Sequence, residues 1–195
     1  MTDADYIRAI RHGIGRDDKS LVIMPSNYYN VASDADLGAI IAYIKTLPPV
    51  DNQVPETNLG PLGKIITLLD SALLTGGIID HAAPRPSDPT PGVTAEYGEY
   101  LATICTVCHG KHLSGGTVPG EGGDTPLALN LTPNSSVVSW SESDFMNTLR
   151  TGVTPAGNQL DEEFMPWPHF SKMTDDELKA LWVYIQSLPP REFGE

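Results

Sequence analysis

A fold of short helices joined by loops is predicted by three features of this 195-residue sequence. Apolar residues recur at helical spacing along it, two of those runs are preceded by polar helix-start boxes, and 17 prolines with 18 glycines divide the chain into short helices and loops. No strand-to-helix pattern of the βαβ kind is visible.

Taken in order, Leu37, Ile40, Ile41 and Ile44 line one face of an amphipathic helix. Leu59 to Ile79 is apolar and punctuated by glycine, which predicts a helix through Leu62, Ile65, Ile66 and Leu69 packing between domains. Residues 82–92 are proline-rich and read as an extended, stiff connection. Thr94 is a candidate N-cap for a helix whose inward face carries Tyr97, Tyr100, Leu101 and Ile104. Gly110 to Gly123, with Pro119, reads as a loop able to pass close to a flat cofactor. Ser141 to Asp144 forms a start box before Phe145, Met146 and Leu149, with Gly152 as terminator. Thr174 to Glu177 is a second box, before Leu178, Leu181, Trp182 and Ile185; Pro189-Pro190 stops that helix after Leu188.

Charge narrows the function. Twelve basic against 25 acidic side chains give a formal charge of −13, which repels nucleic acid and favours partners with a basic docking face. No run reaches the roughly 20 apolar residues that cross a bilayer. Met1 to Asp5 has neither the basic start nor the apolar run of an export signal. Membrane association therefore falls to segments outside this sequence or to a partner.

Cys105-Thr106-Val107-Cys108-His109 is a C-x-x-C-H motif. In it two thiols bond the vinyl groups of one haem and the adjacent imidazole ligates iron. A dithiol switch or a zinc site also uses C-x-x-C. The first wants a βαβ junction and the second four ligands, whereas His12, His81, His112 and His169 show no paired spacing. His109 further needs an acceptor for its other ring nitrogen, expected from the carbonyl of a nearby proline or glycine.

For the second axial ligand, Met165 lies in the irregular segment Glu163-Phe164-Met165-Pro166-Trp167-Pro168, while Met146 and Met173 fall in or beside helices where core packing is expected. His169 is the rival ligand, and His112 is too near His109 to reach the opposite haem face. Trp140 and Arg150 are candidate donors to haem propionates, with a core ring and a surface ion pair as their alternatives.

Residues 5–49 repeat residues 144–190. Asp5, Arg11 and Gly13 align with Asp144, Arg150 and Gly152 at an offset of 139. After a two-residue insertion Met24-Pro25 meets Met165-Pro166, and Ser33, Leu37, Tyr43, Ile44 and Leu47 meet Thr174, Leu178, Tyr184, Ile185 and Leu188 at 141. Residues 1–50 therefore read as the C-terminal half of a first haem domain lacking its haem-attachment half. Met24 is then the orphaned ligand of a missing haem, residues 51–92 are an interdomain helix and linker, and residues 93–195 form a complete domain with one covalent haem. An open reading frame that begins inside the first domain, or an evolutionary loss of that haem, would each produce this pattern; truncation is expected.

The C-x-x-C-H motif, Asn130-Leu131-Thr132-Pro133, Trp140, Met165-Pro166-Trp167 and the closing helix to Leu188-Pro189-Pro190 resemble class I c-type cytochromes over residues 93–190. With the repeat, the chain resembles a bacterial tandem dihaem cytochrome c truncated inside its first haem domain. The resemblance implies an all-α fold around haem c, a second haem in the full-length protein, and maturation in the periplasm or otherwise outside the cytoplasmic membrane. It also implies passage of single electrons from a dehydrogenase-type donor to a respiratory acceptor, with no catalytic residue required. The rival expectations are a haem enzyme or small-molecule sensor with a labile sixth ligand, and a structural or zinc-binding module.

Overall fold

The computed structural model describes residues 1–22, 24–52, 59–69, 74–118 and 125–195. Among them no strand forms, only isolated antiparallel bridges at Ile14–Ser20, Gly116–Ala128 and Val153–Gln159. The chain divides into two compact units, Met1–Asp88 and Pro89–Glu195.

The first unit holds α1 (Asp3–His12), α2 (Ser26–Tyr29), α3 (Asp34–Thr46) and α4 (Pro61–Leu69). Thr2 and Asp5 cap α1 reciprocally: the Thr2 hydroxyl accepts from the Asp5 amide, and the Asp5 carboxylate accepts from the Thr2 amide at 2.7 Å. Gly13 ends the helix at φ 63°, a left-handed conformation that glycine enters without penalty. A small core of Ile10, Leu37 and Ile41 is joined by half-buried Tyr6, Ile7, Met24, Tyr29 and Ile44. Arg11 is buried beside it. Its guanidinium donates to Asp34 at 2.6 Å and to the Ala32 carbonyl at 2.7 Å, which ties α1 to the start of α3. The helix expected through Leu62 and Ile66 is present as α4, and none of its residues is buried. Residues 70–73 of that apolar stretch lie outside the described residues.

The second unit holds α5 (Ala95–Ala102), α6 (Thr106–His109), α7 (Glu142–Thr151), α8 (Trp167–Phe170) and α9 (Asp175–Ser187). Thr94 caps α5, accepting from the Tyr97 amide at 3.2 Å; Ser141–Asp144 and Thr174–Glu177 form the two expected capping boxes. The helix pair α5 and α9 crosses at Gly98, where even one added carbon would lie 2.0 Å from the Ala180 carbonyl oxygen. The buried face of α5 is therefore Gly98 and Ala102. Ile104, expected on it, is exposed, because the chain tightens into a 3₁₀ turn over Thr103–Cys105 and rotates that side chain outward. Ala102, Leu113, Val137, Phe145, Leu149, Leu178, Leu181 and Ile185 form the core.

The repeat extends to element boundaries. Adding 139 to the limits of α1 gives those of α7, and adding 141 to those of α2 and α3 gives α8 and α9. The bridge Ile14–Ser20 maps onto Val153–Gln159, and the Leu21 amide bonds Gly13 as the Leu160 amide bonds Gly152, both at 2.7 Å. What differs is cover. Leu181 and Tyr184 are 3% exposed and half-buried under α5, whereas their counterparts Ile40 and Tyr43 stand 36% and 66% exposed on α3.

Candidate cofactor site

A cavity inside the second unit collects the residues that the C-x-x-C-H motif singles out. Cys105, Cys108, His109, Trp140 and Met165 all line it, among Val137, Phe145, Leu149, Phe170, Leu181 and Ile185. Local structure explains the arrangement. Cys105 caps α6 and Cys108 lies three residues on, so one helical turn brings both sulfurs to the same face, with His109 next in line.

The imidazole is oriented by one hydrogen bond. His109 Nδ1–H donates to the Leu129 carbonyl at 2.7 Å, which leaves the Nε2 lone pair for a metal. Burial holds this group below its ordinary pKa, so it is neutral near pH 7 and suited to ligate. The orienting carbonyl thus belongs to a leucine and not to the proline or glycine that the sequence suggested. The loop is held for the purpose: Gly116 and Ala128 exchange backbone hydrogen bonds, the Leu131 amide donates to Leu113, and Asn130 donates to the Arg191 carbonyl at 2.9 Å. Gly115, at φ 79°, lets this pairing close, since a side chain there would meet the Ala128 oxygen at 2.5 Å. The described glycines of the loop thus serve a backbone-to-backbone approach; Pro119 lies outside the described residues.

The chemistry of the donor set fits a haem c. The Cys105 thiol is pushed up to about 12, chiefly by loss of surrounding water and then by Cys108. A dithiol switch needs the opposite, a lowered pKa that supplies thiolate. Among the described residues no group of three or more His, Cys, Asp or Glu converges as a zinc cage would require. Two thiols, a neutral imidazole and a thioether around apolar walls are the donors that covalent haem uses.

Other candidate residues are placed elsewhere. Arg150 does not line the cavity: its guanidinium bonds the Ser171 carbonyl and pairs with Asp175 at 2.7 Å. Arg11 makes the same pair with Asp34, the repeat counterpart of Asp175, so this arginine joins two helices in both units. His169 is exposed on α8 and not on the cavity lining. Met146 and Met173 pack against the core, and Met24 packs against the core of the first unit. The sequence reading missed Leu127 and Leu129, which line the cavity together with Leu131 of the Asn130-Leu131-Thr132-Pro133 run. Their alternation in Leu127-Ala128-Leu129-Asn130-Leu131 is an extended-segment signal that could have found them.

No protein-family model matches this sequence. Among curated proteins, the chain is 27% identical over 205 residues to the fructose dehydrogenase cytochrome subunit of Gluconobacter japonicus, covering 95% of this chain and 41% of that protein. It is 33% identical over 117 residues to the gluconate 2-dehydrogenase cytochrome c subunit of Pantoea cypripedii, covering 56% and 26%. It is 27% identical over 223 residues to the cytochrome c subunit of the quinone alcohol dehydrogenase of Gluconacetobacter polyoxogenes, covering 97% and 44%. The chain thus spans less than half the length of these relatives. It is similar, at low identity, to cytochrome subunits of dehydrogenases.

Proposed function

We propose that this chain is part of an electron-transfer cytochrome that accepts single electrons from a dehydrogenase and delivers them to a respiratory acceptor. The observation that carries the reading is the junction of Cys105, Cys108, His109 and Met165 on one apolar cavity, with the His109 Nε2 left free by the Leu129 carbonyl. Haem, when bound, supplies a one-electron iron couple. The residues would divide the work: Cys105 and Cys108 tether the macrocycle, His109 and Met165 ligate iron, and Trp140 with the aliphatic walls excludes water. Thioether ligation opposite imidazole raises the reduction potential, which suits an electron carrier. The similarity to dehydrogenase cytochrome subunits supports a dehydrogenase-type donor.

The finer reading concerns the first unit. Its helices match α7–α9 in bounds, and the α3 face bearing Ile40 and Tyr43 lacks the cover that α5 gives α9. Both features support a second haem domain of which residues 1–50 are the methionine-bearing half, with Met24 as its ligand. Covalent haem also supports a location outside the cytoplasmic membrane; among the described residues no helix is long and apolar enough to cross one. Asp161, Glu162, Glu163 and the excess of acidic groups favour redox partners with basic faces.

Expression in a periplasm with haem-attachment machinery tests the reading. One haem per chain should survive denaturation, and Cys105→Ala with Cys108→Ala should abolish it. Met165→Ala should keep the covalent haem while lowering the potential. A chain that matures without haem, or a Met165→Ala potential equal to wild type, would sink the proposal.

A further inference from the structure

The two units solve one packing problem differently, and the difference exposes a device in the first. In the second unit the indole of Trp167 lies against Gly152, so close that an added carbon there would be 2.4 Å from the ring. The counterpart of Trp167 is Ser26, buried but far smaller, and its hydroxyl donates to the Ala9 carbonyl at 3.1 Å. The space beside Gly13 is filled instead by a turn over Thr75–Gly77: an added carbon at Gly13 would meet the Gly76 nitrogen and the Thr75 hydroxyl, both at 2.9 Å. Thr75 donates to the Met24 carbonyl at 2.5 Å, so this turn seats the segment carrying Met24.

The same turn is clasped by two histidines. His12 Nδ1 lies 3.0 Å from His81 Nδ1, and His81 Nε2 lies 2.8 Å from the Gly76 carbonyl. A carbonyl only accepts, so His81 carries its proton on Nε2 and its Nδ1 accepts from His12 Nδ1–H. One added proton settles on His12 Nε2, which keeps the hydrogen bond to His81 but sets a cation near Arg11 and Arg85 and so weakens the clasp. A second must go onto His81 Nδ1, which removes the acceptor and sets two cations face to face. We propose that Thr75–His81 is a proton-operated strap, seated against Gly13 and Met24 while His81 Nδ1 is unprotonated and released when both imidazoles are charged.

The groups acting on His12 all oppose protonation: burial first, then His81, Arg11 of its own helix and Arg85 beyond the strap. Asp34 partly offsets the arginines, pairing with both, while Asp80 bonds the Ala82 amide. With the folded imidazole held below its ordinary 6.5, the closed form binds fewer protons than the open one. Closure is therefore complete above about pH 6.5 and weakens as the pH falls. This holds whether or not Met24 meets a haem.

The test is amide exchange of the full chain from pH 8 to pH 5, corrected for intrinsic rates, with imidazole nitrogens followed by NMR. The Gly77, Ile78 and Ile79 amides, which donate to Leu74 and Thr75 carbonyls, report the strap. Their exchange should accelerate at least fivefold across the range. His81→Gln, which keeps an acceptor but does not titrate, should flatten the response, and His12→Ala should leave exchange fast throughout. Constant protection in wild type, or the same step in both variants, would overturn the proposal.

Discussion

Substituting Gly98 with alanine sets helix propensity against packing at the α5–α9 crossing. Alanine in a helix interior gains up to about 1 kcal/mol over glycine. The new carbon would, however, lie 2.0 Å from the Ala180 carbonyl oxygen and 2.7 Å from Tyr184 Cβ. Restoring an ordinary contact of 3.4 Å at that oxygen requires the helices to part by about 1.4 Å. Neither partner can rotate away, because the obstacle is backbone at residue 180. Parting the helices loosens Ala102, Leu178 and Leu181, and overpacking of this kind costs about 1–3 kcal/mol or more. A net loss of about 2 kcal/mol corresponds to a fall of roughly 10 °C in Tm for a unit of this size. Gly38 in α3 is the internal control, since a side chain there meets nothing within 4 Å; Gly38→Ala should stabilise by a few tenths to about 1 kcal/mol. Thermal unfolding of each variant, followed by circular dichroism, gives the answer. A Gly98→Ala protein melting within 2 °C or so of wild type would refute the argument that backbone contact fixes this crossing.

Arg150→Gln should leave haem attachment and potential unchanged and cost no more than about 1 kcal/mol, because the half-exposed pair with Asp175 is a modest tie; a shifted potential would return Arg150 to the haem. Acid should fray α1 and α7 from their starts. Backbone and side-chain hydrogen bonds from Thr2 and Ser141 hold Asp5 and Asp144 below 3.8. Their capping contribution is thus complete above that value and lost as the pH falls through the depressed pKa, which Asp144→Asn should mimic at neutral pH in amide exchange near Ser141.

The local signals in the sequence were strong where one residue decides the outcome. Thr94, Ser141 and Thr174 cap the helices their positions suggest, and Gly13 and Gly152 end theirs in the left-handed region. Trp140 and Met165 could be proposed from composition and irregular context, and both line the cavity. Errors arose where tertiary contact overrides pattern. Ile104 fits a helical stripe but falls in a 3₁₀ turn. The Leu129 carbonyl was invisible because any residue type carries one; only loop pairing across Gly115 and Ala128 selects it.

The repeat gives a way to separate residues that build the fold from residues that meet a cofactor. A residue kept in both units at matching geometry serves what the units share. Arg11 and Arg150 each bridge to the first turn of the following long helix, at Asp34 and Asp175, and only one of the units contains a C-x-x-C-H motif. That pairing needs no propionate to account for it. The C-x-x-C-H motif, the Leu127–Leu131 segment and the α5 helix occur only in the second unit, and they supply the thiols, the orienting carbonyl and the cover over α9. Met24 and Met165 occupy equivalent positions, but Met165 lines a cavity while Met24 lies against Ile10, Leu37 and Ile41. A methionine without an imidazole to share iron is a packing residue, so Met24→Leu should be nearly neutral for the stability of this chain. In a longer form with a second attachment motif, the same substitution should remove one of two thioether-ligated haems from the spectrum. A large destabilisation of the present chain by Met24→Leu would show that the site requires the shape of methionine itself, and would refute the reading of Met24 as a packed side chain that leucine can replace.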